Sequence, residues 1–226
     1  MSSLEKKELS PSVLAADFAY LMQDIDAVSD CCKFLHLDVM DGHYVPNISI
    51  GVPIVASIRK HTDMIFDTHL MILNPGDYIK DFADAGSDYI TFHIECTTNA
   101  VSLISEIRAL GKKAGVAIHP DTPIEAIFPY LEKGAADLIL VMTVRPGFGG
   151  QTFIRESLSR IATCRERLDK NGSDAILSVD GGINTKTIVA ASEAGADLFV
   201  TGSAVFGQED KAEAAKTLFR ALGQDV

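Results

Sequence analysis

The sequence predicts an α/β protein, a (β/α)8 barrel of the TIM type, as a single domain over residues 1–226. Three observations lead there. Eight short apolar runs alternate with stretches of helical spacing, and the runs are continuous rather than alternating, as in parallel strands buried on both faces. A join recurs three times, as Gly86-Ser-Asp-Tyr-Ile, Gly134-Ala-Ala-Asp-Leu-Ile and Gly195-Ala-Asp-Leu-Phe. Each closes a helix with Gly, which supplies the left-handed turn cheaply, and opens a strand with Asp. Eight strands in 226 residues leave about 28 residues per unit, the size of one βαβ module. The competing architecture, a doubly wound open sheet, lacks a G-x-G-x-x-G after the first strand.

In chain order the strand runs are residues 9–14, 33–39, 64–70, 88–94, 114–118, 137–142, 175–179 and 197–200. Between the fourth and fifth, Val101, Ile104, Ile107 and Leu110 recur at helical spacing. After the sixth, Ile154, Leu158, Ile161 and Leu168 mark a helix over residues 153–168. No Pro/Ser-rich linker or composition break divides the chain, which supports one domain.

Composition narrows the partners. The chain is 47% hydrophobic and 23% charged, which fits a globular protein and excludes wholesale disorder. A net charge of −11 argues against nucleic acid or an anionic membrane as partner, and less against a small anion held in a local site. No apolar run approaches the roughly 18 residues of a membrane span. The charged N-terminal residues carry no apolar targeting segment, so a cytoplasmic location is expected. Cys31, Cys32, Cys96 and Cys164 form no C-x-x-C pair and read as reduced, buried thiols.

In such a barrel, functional groups sit at the C-terminal strand ends. Strand alternation puts His36, Asp38 and Met40 on one face of the second strand and Asp67, His69 and Met71 on one face of the third. Asp180 ends the seventh. Two His and two carboxylates meeting on the axis suit zinc, iron(II), manganese or cobalt. The plainer alternatives are hydrogen-bonded core imidazoles, and Asp residues capping helices or turns. Glycines follow the sixth strand (Gly147-Phe148-Gly149-Gly150), the seventh (Gly181-Gly182) and the eighth (Gly202-Ser203). They let peptide N–H groups approach an anion, helped by helix N-termini, or they simply make tight turns. Met40, Met71 and Met142 fill the core or lie against a planar intermediate. His93 and His119 face the pocket or cap strands, while His43 and His61 belong to loop and helix-end positions.

Four stretches carry a resemblance: HLDVMDGHYVPN at 36–47, DTHLM at 67–71, VMTVRPGFGGQ at 141–151 and VDGGIN at 179–184. With them the chain, from Ser10 to Phe206, closely resembles the ribulose-phosphate 3-epimerases. The resemblance implies interconversion of D-ribulose 5-phosphate and D-xylulose 5-phosphate through an enediolate, a step of the pentose phosphate pathway. It implies one divalent metal ion (Zn, Fe(II), Mn or Co) on His36, Asp38, His69 and Asp180, with Asp38 and Asp180 as the acid/base pair. Ser12 and His69 would contact substrate. Gly147, Phe148, Gly149, Gly150, Gly181, Gly182, Gly202 and Ser203 would hold its phosphate, and Met40, Met71 and Met142 would pack on the intermediate. It further implies a homo-oligomer. Thr68, His119 and Arg145 depart from the family's usual residues and leave the finer substrate preference open. The rival readings are an epimerase of a six-carbon ketose phosphate such as D-allulose 6-phosphate, and a non-catalytic sugar-phosphate-binding barrel. The barrel decarboxylases need a Lys in D-x-K-x-x-D, and the stretch from His36 to Asp41 has none.

Overall fold

The computed structural model describes residues 4–225; the expectation that no targeting segment is present lies, for the first three residues, outside them. The strands are β1 (Glu8–Pro11), β2 (Phe34–Met40), β3 (Ile65–Met71), β4 (Tyr89–His93), β5 (Lys113–Ile118), β6 (Leu138–Met142), β7 (Ile176–Asp180) and β8 (Leu198–Thr201). Between and after them run α1 (Leu21–Ser29), α2 (Val52–Ile58), α3 (Ile79–Asp84), α4 (Ala100–Ala109), α5 (Ser157–Lys170), α6 (Thr187–Glu193) and α7 (Lys211–Ala221). All eight strands form one parallel sheet in the order β1-β8-β7-β6-β5-β4-β3-β2. A single parallel bridge, Ser12 to His36, joins its two edges, so the sheet is a nearly closed (β/α)8 barrel.

Three elements differ from the sequence expectation, each for a local reason. β1 stops at Pro11 because the Ser12 side chain accepts from Leu14 N and caps a 3-10 turn, Val13–Ala15. Between β5 and β6 stands a 3-10 segment, Ile124–Leu131, instead of an α-helix; Pro129 inside it removes a donor an α-helix needs. Residues 153–156 precede α5, since Ile154 N donates to Thr143 O at the end of β6. All four cysteines are free and buried, as expected.

The repeated join explains the rim at the N-terminal ends of the strands. Asp88 accepts from Phe66 N (2.8 Å) and pairs with Arg59 (3.2 Å). Asp137 accepts from Ala114 N (2.9 Å) and pairs with Arg108 (3.0 Å). Asp197 accepts from Leu177 N (3.0 Å) and pairs with Arg165 (3.2 Å). Each Asp thus ties its own strand to the one before it and to the helix that precedes that strand. The glycine of the join is required at Gly195, where φ is +110° and a Cβ would lie 2.4 Å from the Arg165 stem. Gly86 stands in the same relation to Arg59.

Inside the barrel, parallel register stacks the side chains in layers. Phe34, Leu138, Ile176 and Leu198 plug the N-terminal end with apolar bulk. Above them the register pairs His36 with Asp67, Asp38 with His69, and Met40 with Met71. Polarity therefore rises along the axis toward the C-terminal mouth. Among the described residues no helix is long and apolar enough to cross a membrane.

Candidate active site

A cavity of about 520 Å³ opens at that mouth, within the usual range for small-molecule sites. Its inner end holds His36, Asp38, His69 and Asp180, whose ligand-type atoms all lie within 4.8 Å of one another. His36 Nε2 is 3.2 Å from Asp38 Oδ1 and 4.0 Å from Asp180 Oδ2; His69 Nδ1 is 3.2 and 3.7 Å from the same two oxygens. Asp38 and Asp180 come from strands three steps apart around the ring, yet their carboxylates converge on its axis.

This donor set fits a metal ion on a direct observation. His36 Nε2 is buried and has no hydrogen-bond partner, although it points into the cluster. Its other nitrogen, Nδ1, is fixed 2.7 Å from Asp67 Oδ2. A carboxylate behind an imidazole, with the front nitrogen bare, is the usual support of a metal-binding His. Two imidazoles and two carboxylates match the harder N/O ligand sets of divalent transition metals.

The charges within the cluster oppose one another. Burial disfavours ionisation of Asp38, but His36 and His69 beside it hold the carboxyl far below its usual range. Asp180 moves the other way: burial and the Asp38 charge push it up to about 6. Burial also opposes a charge on His36, yet Asp38 and Asp67 raise its pKa well above the usual imidazole value. Ser12 Oγ donates to Asp38 Oδ2 at 2.5 Å, which fixes the carboxylate across the barrel seam.

The sequence-derived residues mostly meet here. Ser12, Asp38, Met40, Met71, Met142, Gly147, Phe148, Gly149, Gly150, Asp180, Gly181, Gly182, Gly202 and Ser203 all line the cavity. His36 and His69 are wholly buried beneath it. Among the described residues, the peptide N–H groups of Gly181, Gly182, Gly202 and Ser203 donate no hydrogen bond within the chain. Gly182 has φ +66°, and a Cβ there would lie 2.5 Å from Phe153 N, so no side chain fits behind this wall. The Gly147–Gly150 loop is pinned by Asn47 Nδ2 on Gly147 O and Gln151 Nε2 on Phe148 O (both 2.8 Å). Helix ends contribute less than expected: α6 and α7 begin only at Thr187 and Lys211, after the glycine turns.

The departures lie elsewhere. Arg145 makes a two-pronged pair with Asp121 (3.0 Å for each bond), and neither Arg145 nor His119 lines the cavity. Thr68 faces outward onto Ser87 (2.7 Å). Two features escaped the sequence reading. Among the described residues, Arg155 is the cavity's sole lining Lys or Arg, although it lies outside the glycine motifs. Asp67 backs His36; its place on the same strand face was the available signal.

Fold and site define an enzyme of the (β/α)8 class whose cavity joins a metal-type cluster to a wall of free peptide donors. A model of the ribulose-phosphate 3 epimerase family matches residues 8–206. The chain is 48% identical over 216 residues to a ribulose-phosphate 3-epimerase of Mycobacterium bovis, covering 95% of this chain and 93% of the relative. It is 45% identical to that of Bacillus subtilis (92% and 95% covered) and 40% identical to a cytoplasmic isoform from Oryza sativa (98% and 97% covered). The chain belongs to the ribulose-phosphate 3-epimerase family, whose members are isomerases. Among solved structures, KGPDC from Streptococcus mutans superposes with a TM-score of 0.72 at 14% identity (97% and 98% covered), a likeness of fold. The 3-hexulose-6-phosphate synthase of Salmonella typhimurium gives 0.70 at 21% (97% and 100% covered).

Proposed function

We propose that the protein interconverts D-ribulose 5-phosphate and D-xylulose 5-phosphate by moving the proton on C3. The observation that carries this reading is the convergence of Asp38 and Asp180 at the inner end of a cavity otherwise walled by free peptide donors. Epimerisation removes a proton alpha to the C2 ketone, passes through a planar enediolate and returns a proton to the opposite face. A base on one face alone would mostly restore the starting configuration, so two acid/base groups are needed.

Asp38, held as a carboxylate, takes the C3 proton from one face. Asp180, which burial and its neighbour bias toward the protonated form, delivers a proton to the other. The roles reverse for the return reaction. Ser12 orients Asp38 and contacts the substrate. Met40, Met71 and Met142 offer a soft apolar surface to the planar intermediate. Gly181, Gly182, Gly202 and Ser203, with the Gly147–Gly150 loop, receive the phosphate on peptide N–H groups, which anchors the reacting carbons between the two carboxyls. His36, Asp38, His69 and Asp180 would hold a divalent metal ion, and such an ion supplies Lewis-acid stabilisation of charge developing on the substrate oxygens.

The test is a coupled assay with D-ribulose 5-phosphate and D-allulose 6-phosphate in parallel, together with deuterium uptake at C3 from D2O. Preference for the pentulose, with solvent deuterium in the product, is expected. Equal or greater turnover of the hexulose would overturn the substrate assignment. Product formed without solvent exchange at C3, in both directions, would remove the two-carboxyl mechanism.

A further inference from the structure

β6 and β7 lie side by side, with Met142 opposite Asp180. One residue further along, Thr143 is wholly buried and uses its N–H, its carbonyl and its hydroxyl. The N–H donates to Asp180 O at 2.8 Å, the carbonyl accepts from Ile154 N at 2.8 Å, and the hydroxyl donates to Gly181 O at 2.6 Å. Two successive carbonyls, those of Asp180 and Gly181, therefore turn to the same neighbour. In a pleated strand they would point to opposite sides. The reversal falls at Gly181, where φ is +121° and a Cβ would lie 2.3 Å from Val144 Cγ2, so glycine alone makes it.

The reversal sets a direction. A trans peptide is planar and carries its C=O and N–H on opposite edges. With Gly181 O held by Thr143, the N–H of the same peptide, which belongs to Gly182, points away from β6. On that other side of β7 stands β8, whose following loop carries the N–H of Ser203. Gly182 and Ser203 both line the cavity, whereas Thr143 does not. Among the described residues neither of the two N–H groups donates a hydrogen bond within the chain. The hydroxyl bond to Gly181 O also polarises the peptide, which makes its N–H a stronger donor to an anion.

We propose that Thr143 is a positioning residue: by holding Gly181 O it aims the Gly182 N–H into the cavity as a donor to the substrate's phosphate. This rests on reading the cavity as the seat of a sugar phosphate. The plainer role for the same hydroxyl is to satisfy a carbonyl and hold β6 to β7, with no effect on ligand.

The experiment compares wild type, Thr143→Val and Thr143→Ser. Valine keeps the backbone bonds to Asp180 and Ile154 and loses only the hydroxyl; serine keeps the hydroxyl. Inorganic phosphate is titrated into the zinc-loaded wild type while the Gly182 and Ser203 amide signals are followed by NMR, together with the phosphorus–nitrogen coupling across the hydrogen bond. Its dissociation constant, and kcat and KM for D-ribulose 5-phosphate, are then measured for all three proteins. We expect phosphate to shift the Gly182 amide and couple to it. Thr143→Val should weaken phosphate binding and raise KM about tenfold, the scale of one hydrogen bond, with kcat changed less than threefold. Thr143→Ser should stay within twofold of wild type. A wild-type response at Ser203 without one at Gly182 overturns the proposal, as does a folded Thr143→Val with wild-type phosphate affinity and KM, or a loss confined to kcat. The wild-type amide signals decide the matter even if Thr143→Val does not fold. A wild type in which no amide of the cavity wall responds to phosphate overturns the sugar-phosphate reading, and this proposal with it.

Discussion

At the N-terminal rim Asp88, Asp137 and Asp197 each meet an Arg and a strand N–H. At the C-terminal mouth Asp38 and Asp180 meet each other, above two imidazoles, one of which presents an unpartnered nitrogen. Both ends use buried or half-buried carboxylates, and the difference lies in their complement. Rim carboxylates find cations and donors from the chain and act as staples. At the mouth the two imidazoles compensate Asp38, but burial and the Asp38 charge leave Asp180 with a raised pKa and the cluster open to an added cation. The two ends divide stability and chemistry between them, as the barrel architecture allows.

The sharpest way to break this comparison is at the mouth. Asp180→Asn should lower kcat about 1,000-fold or more, close to 4 kcal/mol in barrier, in steady-state epimerase kinetics. The same change should leave the metal-stripped protein more stable, not less. Because the folded pKa of Asp180 lies above its unfolded value, its ionisation weakens the fold as pH rises from about 4 to about 6. The melting temperature of metal-stripped Asp180→Asn should thus exceed wild type by a few degrees above pH 6 and match it below pH 4. A variant destabilised at pH 7 would show that Asp180 is a staple like those of the rim.

At the rim the expected effect is smaller and of the other kind. Asp197→Ala removes the acceptor of Leu177 N and the partner of Arg165, and should cost about 2–3 kcal/mol in denaturant unfolding. Its kcat and KM per folded molecule should be unchanged; a specific loss of kcat would join the two ends functionally. The smallest effect is expected at Arg155, an exposed cation on the cavity wall. Arg155→Gln should raise KM for the sugar phosphate about threefold, near 0.6 kcal/mol, with kcat unchanged and the difference fading at high salt.

What the sequence revealed follows the same division. Strand parity is a local rule, so His36, Asp38, His69 and Asp180 were legible as residues able to meet at the mouth, and the Gly–Asp joins were visible as a repeat. The pairing of each Asp with an Arg was not, because Arg59, Arg108 and Arg165 lie about 30 residues away in sequence. Arg145 and Arg155 show the limit more clearly. Arg145 sits inside a recognisable glycine-rich motif yet is drawn off by Asp121, while Arg155 lies outside any motif and reaches the cavity wall. Side-chain direction in loops depends on neighbours from other units. The loss of the α-helix before β6 was readable in principle, since Pro129 stands in its middle, but the Gly134 join looked the same as the two that do end helices.

The seam of the barrel bears on how the molecule is made. β1 takes its ladder from β8, Glu8 opposite Leu198, whereas among the described residues its side facing β2 carries no ladder and the backbone bridge Ser12–His36 forms just past its end. On a ribosome adding about 5–20 residues each second, the first strand waits roughly 10–40 s for its partner to be synthesised. Until then the ring stands open where Ser12 must reach Asp38. Completion of the cavity wall is therefore a late event in biosynthesis, timed by the arrival of the eighth strand.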